Sequence, residues 1–256
     1  MNQAKEIQLD PVLRQHLSDG VAAIGLSLTP DQLDGLLVYL DQLVRWNKTY
    51  NLTAVRDPAD MIDRHLVDSL SVLAQINQLF GTKPIHLMDI GTGAGLPGIP
   101  LSLVRSSTSL TLVETSGKKA AFLRQCQITL GLKAMEVCQS RIENLDPKSL
   151  VLGSPDLLIS RAFRPIGEFL ELAAPFVLPS TIILAMKGPA LQEELEQLAE
   201  NVENKKVSKR LLSVLDTHIM SIEAFNLAES DATRQVAIFR ATSQTGLNQP
   251  TAFLQE

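Results

Sequence analysis

The stretch Asp89-Ile-Gly-Thr-Gly-Ala-Gly-Leu-Pro-Gly98 constrains this chain more than any other. It follows Pro84-Ile-His-Leu-Met88, which reads as a short buried strand, and precedes Ile99-Pro-Leu-Ser-Leu-Val104, which reads as a helix. Four glycines in ten residues at a strand-to-helix turn let the backbone approach a ligand that a Cβ would hold away. In α/β sheets, nucleotide-like ligands bind outside the carboxyl ends of the strands. The loop therefore predicts an α/β fold with an adenosine-bearing cofactor.

Two parses of the loop are open. Gly93-Ala-Gly95-Leu-Pro-Gly98 has the spacing of the dinucleotide fingerprint, which seats a pyrophosphate on a helix N-terminus. Read from Asp89, the pattern is acid-x-Gly-x-Gly-x-Gly, with a carboxylate at the end of the first strand. A pyrophosphate is repelled by a carboxylate at short range, whereas the ammonium and sulfonium of S-adenosylmethionine are attracted by one. The second parse is the better fit. Ser109-Leu-Thr-Leu-Val-Glu114 is the next strand, and Glu114 at its tip is placed to accept from ribose hydroxyls in either cofactor.

These residues carry a resemblance. Asp89 to Leu101 is similar to the cofactor loop of the RsmG (GidB) family of small-subunit ribosomal RNA methyltransferases. Trp46 to Ala54, Arg64 to Leu70, Gly117 to Leu123, Ser160-Arg-Ala162 and Met186-Lys-Gly188 resemble that family in order and approximate spacing. The resemblance implies a class I, Rossmann-like methyltransferase moving a methyl group from S-adenosylmethionine to N7 of one guanine in 16S rRNA. Carried over residue by residue, it puts Gly91, Gly93 and Leu96 in the loop against the cofactor. It also puts Ile142 and Glu143 beside the adenine, and Arg161 at the methyl-donor end. Ile142 stands where a smaller residue is common, Glu114 where aspartate is usual, and Arg234 to Arg240 follow the closing pattern only loosely.

The chemistry agrees with a site that has neither triad nor metal. Guanine N7 carries an in-plane lone pair and no proton, so attack on a sulfonium methyl needs no general base. The four histidines, at 16, 65, 86 and 218, show no metal-ligand spacing. Arg141, Arg161 and Lys187 each follow an expected strand, which places them on the sheet edge that bears the loop. They are the candidates for engaging RNA phosphates and the guanine O6. His65 and Asp68 share a helix face and are read as a structural tie between the helical segment and the catalytic domain. Trp46 and Tyr50, four apart, are read as packing residues.

The organisation expected is a helical segment over 1–80, a cofactor-binding catalytic domain over 81–240, and a mobile tail over 241–256. Thr29-Pro-Asp-Gln32 is a capping box opening a helix with Leu33, Leu36, Leu37, Leu40 and Leu43 at helical spacing. Asp57-Pro58 opens a second, running through Leu66, Leu70 and Leu73. Strands are expected near 85–89, 109–114, 134–138, 156–160 and 181–186, followed by a hairpin-like pair near 207–216 and 234–240. Helices between five strands imply a mostly parallel, doubly wound sheet of about seven strands with an antiparallel end.

Charge runs against RNA binding: the formal net charge is −5. Six basic residues face ten acidic ones up to position 80, and 17 face 18 beyond it. Any RNA-facing surface is therefore expected on the catalytic domain, with Lys118, Lys119, Arg124 and the run Lys205 to Arg210 as candidates. Weak affinity for naked RNA would make an assembled small-subunit particle the substrate. No apolar run reaches the roughly 20 residues of a membrane span. The opening residues lack a signal peptide's pattern. Cys126 and Cys138 read as buried reduced thiols. A monomeric cytoplasmic enzyme is expected. The competing functions are a class I methyltransferase with another substrate, a nicotinamide-dependent dehydrogenase, and a non-catalytic RNA-binding assembly factor.

Overall fold

Local signals at the N-termini set the helices in the computed structural model, which describes residues 10–161, 163–226 and 233–241. Asp10 caps α1 (Pro11–Ala23) by accepting from the Val12 amide. The Thr29 box forms at α2 (Pro30–Tyr50): Thr29 Oγ1 accepts from the Gln32 amide and Gln32 Oε1 accepts from the Thr29 amide. Asp57 accepts from the Ala59 and Asp60 amides at the start of α3 (Pro58–Met61). The helix does not continue as regular α. It widens to a π-helix over Ile62–Val67, resumes as α4 (Asp68–Leu70), and gives way to α5 (Leu73–Phe80).

From there strands and helices alternate. They are β1 (Ile85–Ile90), α6 (Gly98–Val104), β2 (Thr108–Glu114), α7 (Gly117–Thr129), β3 (Met135–Gln139), β4 (Leu157–Arg161), α8 (Ile166–Ala173), β5 (Ile182–Lys187), α9 (Leu191–Glu203), α10 (Lys209–Thr217), β6 (His218–Asn226) and β7 (Thr233–Ala241). The sheet has seven strands in the order β3-β2-β1-β4-β5-β7-β6. β1 to β5 run parallel, and β7 pairs antiparallel with both β5 and β6. The fold class read from the sequence is the one observed. The strand expected over 207–216 is instead α10. Ser208 accepts from the Leu211 amide, and Leu211 and Val214 recur at helical spacing on the buried side. The antiparallel partner of β7 begins only at His218. The tail from residue 242, the run 1–9 and Ala162 lie outside the described residues.

Side chains alternate between two apolar clusters, as a strand period of two requires. Leu87, Leu110, Leu112, Ile159 and Leu184 join one cluster with α1, α2, α5, α6 and α7. Met88, Ile90, Val113, Leu158 and Ile183 join the other with α8, α9 and α10. The N-terminal helices therefore share a core with one face of the sheet. Trp46 stacks obliquely on Phe122 of α7 at 5.6 Å between ring centroids and on Tyr50 at 5.2 Å, so both aromatics belong to packing. Cys126 is buried and Cys138 half-buried; burial pushes both thiols up to about 12, which keeps them protonated.

Candidate active site

The sheet winds outward in opposite directions from β1, so β1 and β4 flank a switch point. A cleft of about 350 Å³ opens at these carboxyl ends. It is lined by Ile90, Gly91 and Gly93 after β1, by Val113, Glu114 and Thr115 at β2, by Arg141, Ile142 and Glu143 after β3, and by Phe163 and Arg164 after β4. Six of the residues expected at the site thus come together: Gly91, Gly93, Glu114, Arg141, Ile142 and Glu143. A larger groove of about 450 Å³ runs along α8 and α9, but glutamates at 168, 171, 193 and 194 line it and no strand end reaches it.

The glycine loop is shaped from below. Asp89 is fully buried, and its Oδ2 accepts from Thr92 Oγ1 at 2.6 Å and from the Gly98 amide at 2.9 Å. The sequence pattern aims this carboxylate at the cofactor's ammonium and sulfonium. The fold corrects that: one oxygen is committed to the loop itself, through the Thr92 hydroxyl and the Gly98 amide, and Asp89 is absent from the cleft wall. Burial pushes its pKa up to about 7 against the pull of those two hydrogen bonds. From α2, Tyr39 clamps the same loop by donating its hydroxyl to the Ala94 carbonyl at 2.7 Å.

Gly91 is at φ +71° with the Phe163 ring against it; a Cβ there would come within 2.0 Å of a ring carbon. Gly91→Ala is accordingly expected to displace Phe163 and deform the cleft. S-adenosylhomocysteine affinity, measured by calorimetry, should fall at least about tenfold, equivalent to about 1.4 kcal/mol. Unchanged affinity would show that the cradle does not bear on the cofactor.

Glu114 is 7% exposed, with Oε2 accepting from the Gly93 amide at 3.0 Å and Oε1 from the Ser116 amide at 2.7 Å. A carboxylate offers about four acceptor sites, so capacity remains for ribose hydroxyls. An acceptor at the β2 tip, a cradle without Cβ atoms and the apolar Ile142 wall suit an adenosine cofactor.

Three expected residues lie elsewhere. Leu96 is buried in the apolar cluster beneath the loop and does not reach the cleft wall. Lys187 is not offered to substrate either: its side chain is 7% exposed, it pairs with Glu194 at 2.9 Å, and it donates to the Arg164 carbonyl. Desolvation makes such a buried charge stay with its partner. Arg161 stands at the end of β4 and donates through Nη1 to Asp68 at 2.8 Å and to the Arg64 carbonyl at 3.0 Å. Arg234 of β7 donates to the other Asp68 oxygen at 2.7 Å. Asp68, with the Arg64 carbonyl, therefore makes the tie between the helices and the sheet that was expected of His65 and Asp68 jointly. His65 instead meets Thr53 Oγ1 through Nε2 at 2.8 Å. Burial and the nearby Arg161 charge push its pKa down to about 4, so it is neutral at pH 7.

Two contributors are not apparent in the sequence pattern. Phe163 directly follows Ser160-Arg-Ala162, and an aromatic one step beyond a strand-end motif is the only signal it leaves. Tyr39 looks like one more residue of an amphipathic helix, and only the fold brings it to a loop 55 positions away. Among the described residues, no group of three His, Cys, Asp or Glu is disposed to hold a metal ion, and no helix is long and apolar enough to cross a membrane.

A doubly wound sheet with a glycine loop and an acid-tipped second strand at its switch point defines an α/β protein that binds an adenosine-bearing cofactor. The chain belongs to the GidB family, rRNA small subunit methyltransferase G, whose model matches residues 32–222. It is 43% identical over 184 residues to ribosomal RNA small subunit methyltransferase G of Acinetobacter baylyi, spanning 72% of this chain and 84% of that one. With the Leptothrix cholodnii protein of the same name it shares 34% identity over 230 residues, spanning 90% and 96%. A solved SAM dependent methyltransferase from Aquifex aeolicus aligns at TM-score 0.48 and 17% identity, over 74% of this chain and 96% of that one.

Proposed function

We propose that this chain transfers a methyl group from S-adenosylmethionine to N7 of a guanine in 16S rRNA, by direct in-line displacement and without a general base. The cofactor supplies an electrophilic methyl on a sulfonium. The observation that carries the reading is the cleft itself, which joins a glycine cradle and an acceptor carboxylate, with no histidine or cysteine among its described lining residues. His65, the histidine of the Arg64 to Leu70 segment, is neutral, buried and committed to Thr53. A nucleophile that bears no proton suits such a site.

The protein's tasks are then placement and exclusion of water, and positioning alone can supply about 7–11 kcal/mol of barrier reduction. Gly91 and Gly93 admit the cofactor, Glu114 accepts from its ribose, and Ile142 and Glu143 flank its adenine. Nη1 of Arg161 holds Asp68 and the Arg64 carbonyl, and its other guanidinium donors are assigned to the guanine O6. Arg141 at the rim, beside Lys119 in the cleft wall, is assigned to RNA phosphates. With a net charge of −5, the few cations at the cleft favour a pre-assembled small-subunit particle over naked RNA. We place a monomer in the cytoplasm, where such particles are built.

Mapping N7-methylguanosine in 16S rRNA from a strain without this chain tests the reading. One missing methyl that returns on complementation is expected; unchanged rRNA would overturn it. Titration with S-adenosylhomocysteine and NAD should give saturable binding of the first alone.

A further inference from the structure

Gly93 lines the cleft at φ +61°, and Gly95, two residues on, is at φ +92°. Residues free to adopt such angles leave the peptide units between them little constrained by sterics. The loop is therefore tied down at successive points. Asp89 holds Thr92 and Gly98 from below, and Glu114 accepts from the Gly93 amide. The Gly95 and Leu96 amides both donate to the Thr92 carbonyl at 3.0 Å. Those ties come from β1, β2 and the loop itself. The Ala94 carbonyl, between the two glycines, is taken from outside them, by the Tyr39 hydroxyl of α2 at 2.7 Å. Tyr39 is fully buried, and its ring lies 6.3 Å from that of Phe122 on α7. Burial pushes its pKa up, so the hydroxyl keeps the proton it donates.

We propose that Tyr39 is a positioning residue for the cofactor: its hydroxyl holds the Ala94 peptide in the orientation S-adenosylmethionine needs, so α2 sets the affinity of a cleft it does not line. The inference rests on the cofactor placement given under Proposed function. A buried carbonyl must find a donor or water. With the hydroxyl present, the peptide after Ala94 has one orientation before any ligand arrives. Without it, that carbonyl turns towards water, and the flanking glycines let it turn with little strain. The Gly93 amide is tied to Glu114, so the turn also disturbs the carboxylate assigned to the ribose. The apparent dissociation constant then rises by the inverse of the fraction of molecules that still fit. A loop that fits in about one molecule in ten binds about tenfold more weakly. Binding selects the fitting orientation, so the methyl of a bound cofactor is placed as in the wild type.

The test compares Tyr39→Phe with Trp46→Leu. The first removes a hydroxyl and keeps the ring against Phe122. The second loosens packing on the same Phe122 from the same helix and leaves the Tyr39 hydroxyl in place. Calorimetry gives S-adenosylhomocysteine affinity, heating gives the unfolding midpoint, and amide exchange follows residues 93–96 with and without ligand. Tyr39→Phe should weaken binding about fivefold to tenfold. In the free protein it should also speed exchange at Gly95 and Leu96, a difference that closes when ligand saturates the cleft. Its single-turnover methylation at saturating S-adenosylmethionine should stay within about threefold of wild type. Trp46→Leu should lower the midpoint at least as much, with affinity within about twofold of wild type. Unchanged affinity in Tyr39→Phe would overturn the proposal, because the bond would then serve the fold alone. So would equal losses of affinity in the two variants, or a Tyr39→Phe chain that does not fold. Wild-type protein that binds no S-adenosylhomocysteine would overturn the underlying functional reading, and this inference with it.

Discussion

Asp68→Ala should lower the stability of this protein by about 3–5 kcal/mol, because it strands two guanidinium groups around a site from which water is largely excluded. Asp68 is 3% exposed and offers one oxygen to Arg161 and the other to Arg234, at 2.8 and 2.7 Å. The arginine side chains are 17% and 29% exposed, so their charges are only partly screened by solvent. In a protein of this size, about 2–4 °C of melting temperature accompanies each kcal/mol. A midpoint lower by roughly 6–20 °C is therefore expected in calorimetry or denaturant unfolding. Methylation should fall as well, since Arg161 loses the partner that fixes it at the end of β4. Asp68→Asn retains one acceptor and should fall between. A midpoint within about 2 °C of wild type for the alanine variant would show that the three-residue network contributes little.

The double pairing also explains why the helical segment belongs to the site. Asp68 reaches Arg161 and Arg234 across sequence separations of 93 and 166 residues. Tyr39 reaches Ala94, and Trp46 reaches Phe122. The helices preceding the sheet thus hold three elements of the catalytic end in place: the glycine loop, the end of β4 and the helix after β2. The π-helical turn over Ile62–Val67 contributes to this arrangement, bringing His65 and Asp68 both into burial within one turn.

What the sequence reveals follows the range of each interaction. The Thr29 capping box, the glycine turn and the five parallel strands are local or periodic, and each of those strands lies within a residue or two of the expected one. The region 207–216 misleads because an apolar residue at every third or fourth place in a short window also passes for a broken strand. Only the Ser208 cap separates the two. The direction of a carboxylate is still harder to read. Asp89 and Glu114 both end strands, yet one turns under the loop and the other into the cleft. Lys187 misleads for the same reason, since its partner Glu194 lies on a helix whose placement depends on the whole second core. Phe163 becomes visible only when Gly91 comes to lie beneath it.

Asp89 gives the fold a pH dependence between about pH 4 and 7. Its Oδ2 is satisfied by Thr92 and Gly98, but Oδ1 is buried with no partner among the described residues, and burial raises the carboxyl from 3.8 to about 7. A carboxyl held above its unfolded value keeps its proton in the native state where the unfolded chain has lost it. By linkage, stability then falls as pH rises from about 4 to about 7 and levels off beyond. At about 1.4 kcal/mol for each pH unit separating the folded and unfolded values, the contribution is at most about 4 kcal/mol. Asp89→Asn keeps the shape and one acceptor without the charge, though its amide nitrogen takes the partnerless place at a cost of about 1–3 kcal/mol. The two proteins should therefore cross: the variant is less stable than wild type near pH 5 and equal or more stable at pH 8. Denaturant unfolding of both at pH 5, 6, 7 and 8 measures the difference directly. Other groups, His86 and His218 among them, titrate alike in the two proteins and cancel. Stability curves that stay parallel across this range would mean that Asp89 is ionised throughout, with Oδ1 solvated, and would assign the pH dependence to other groups.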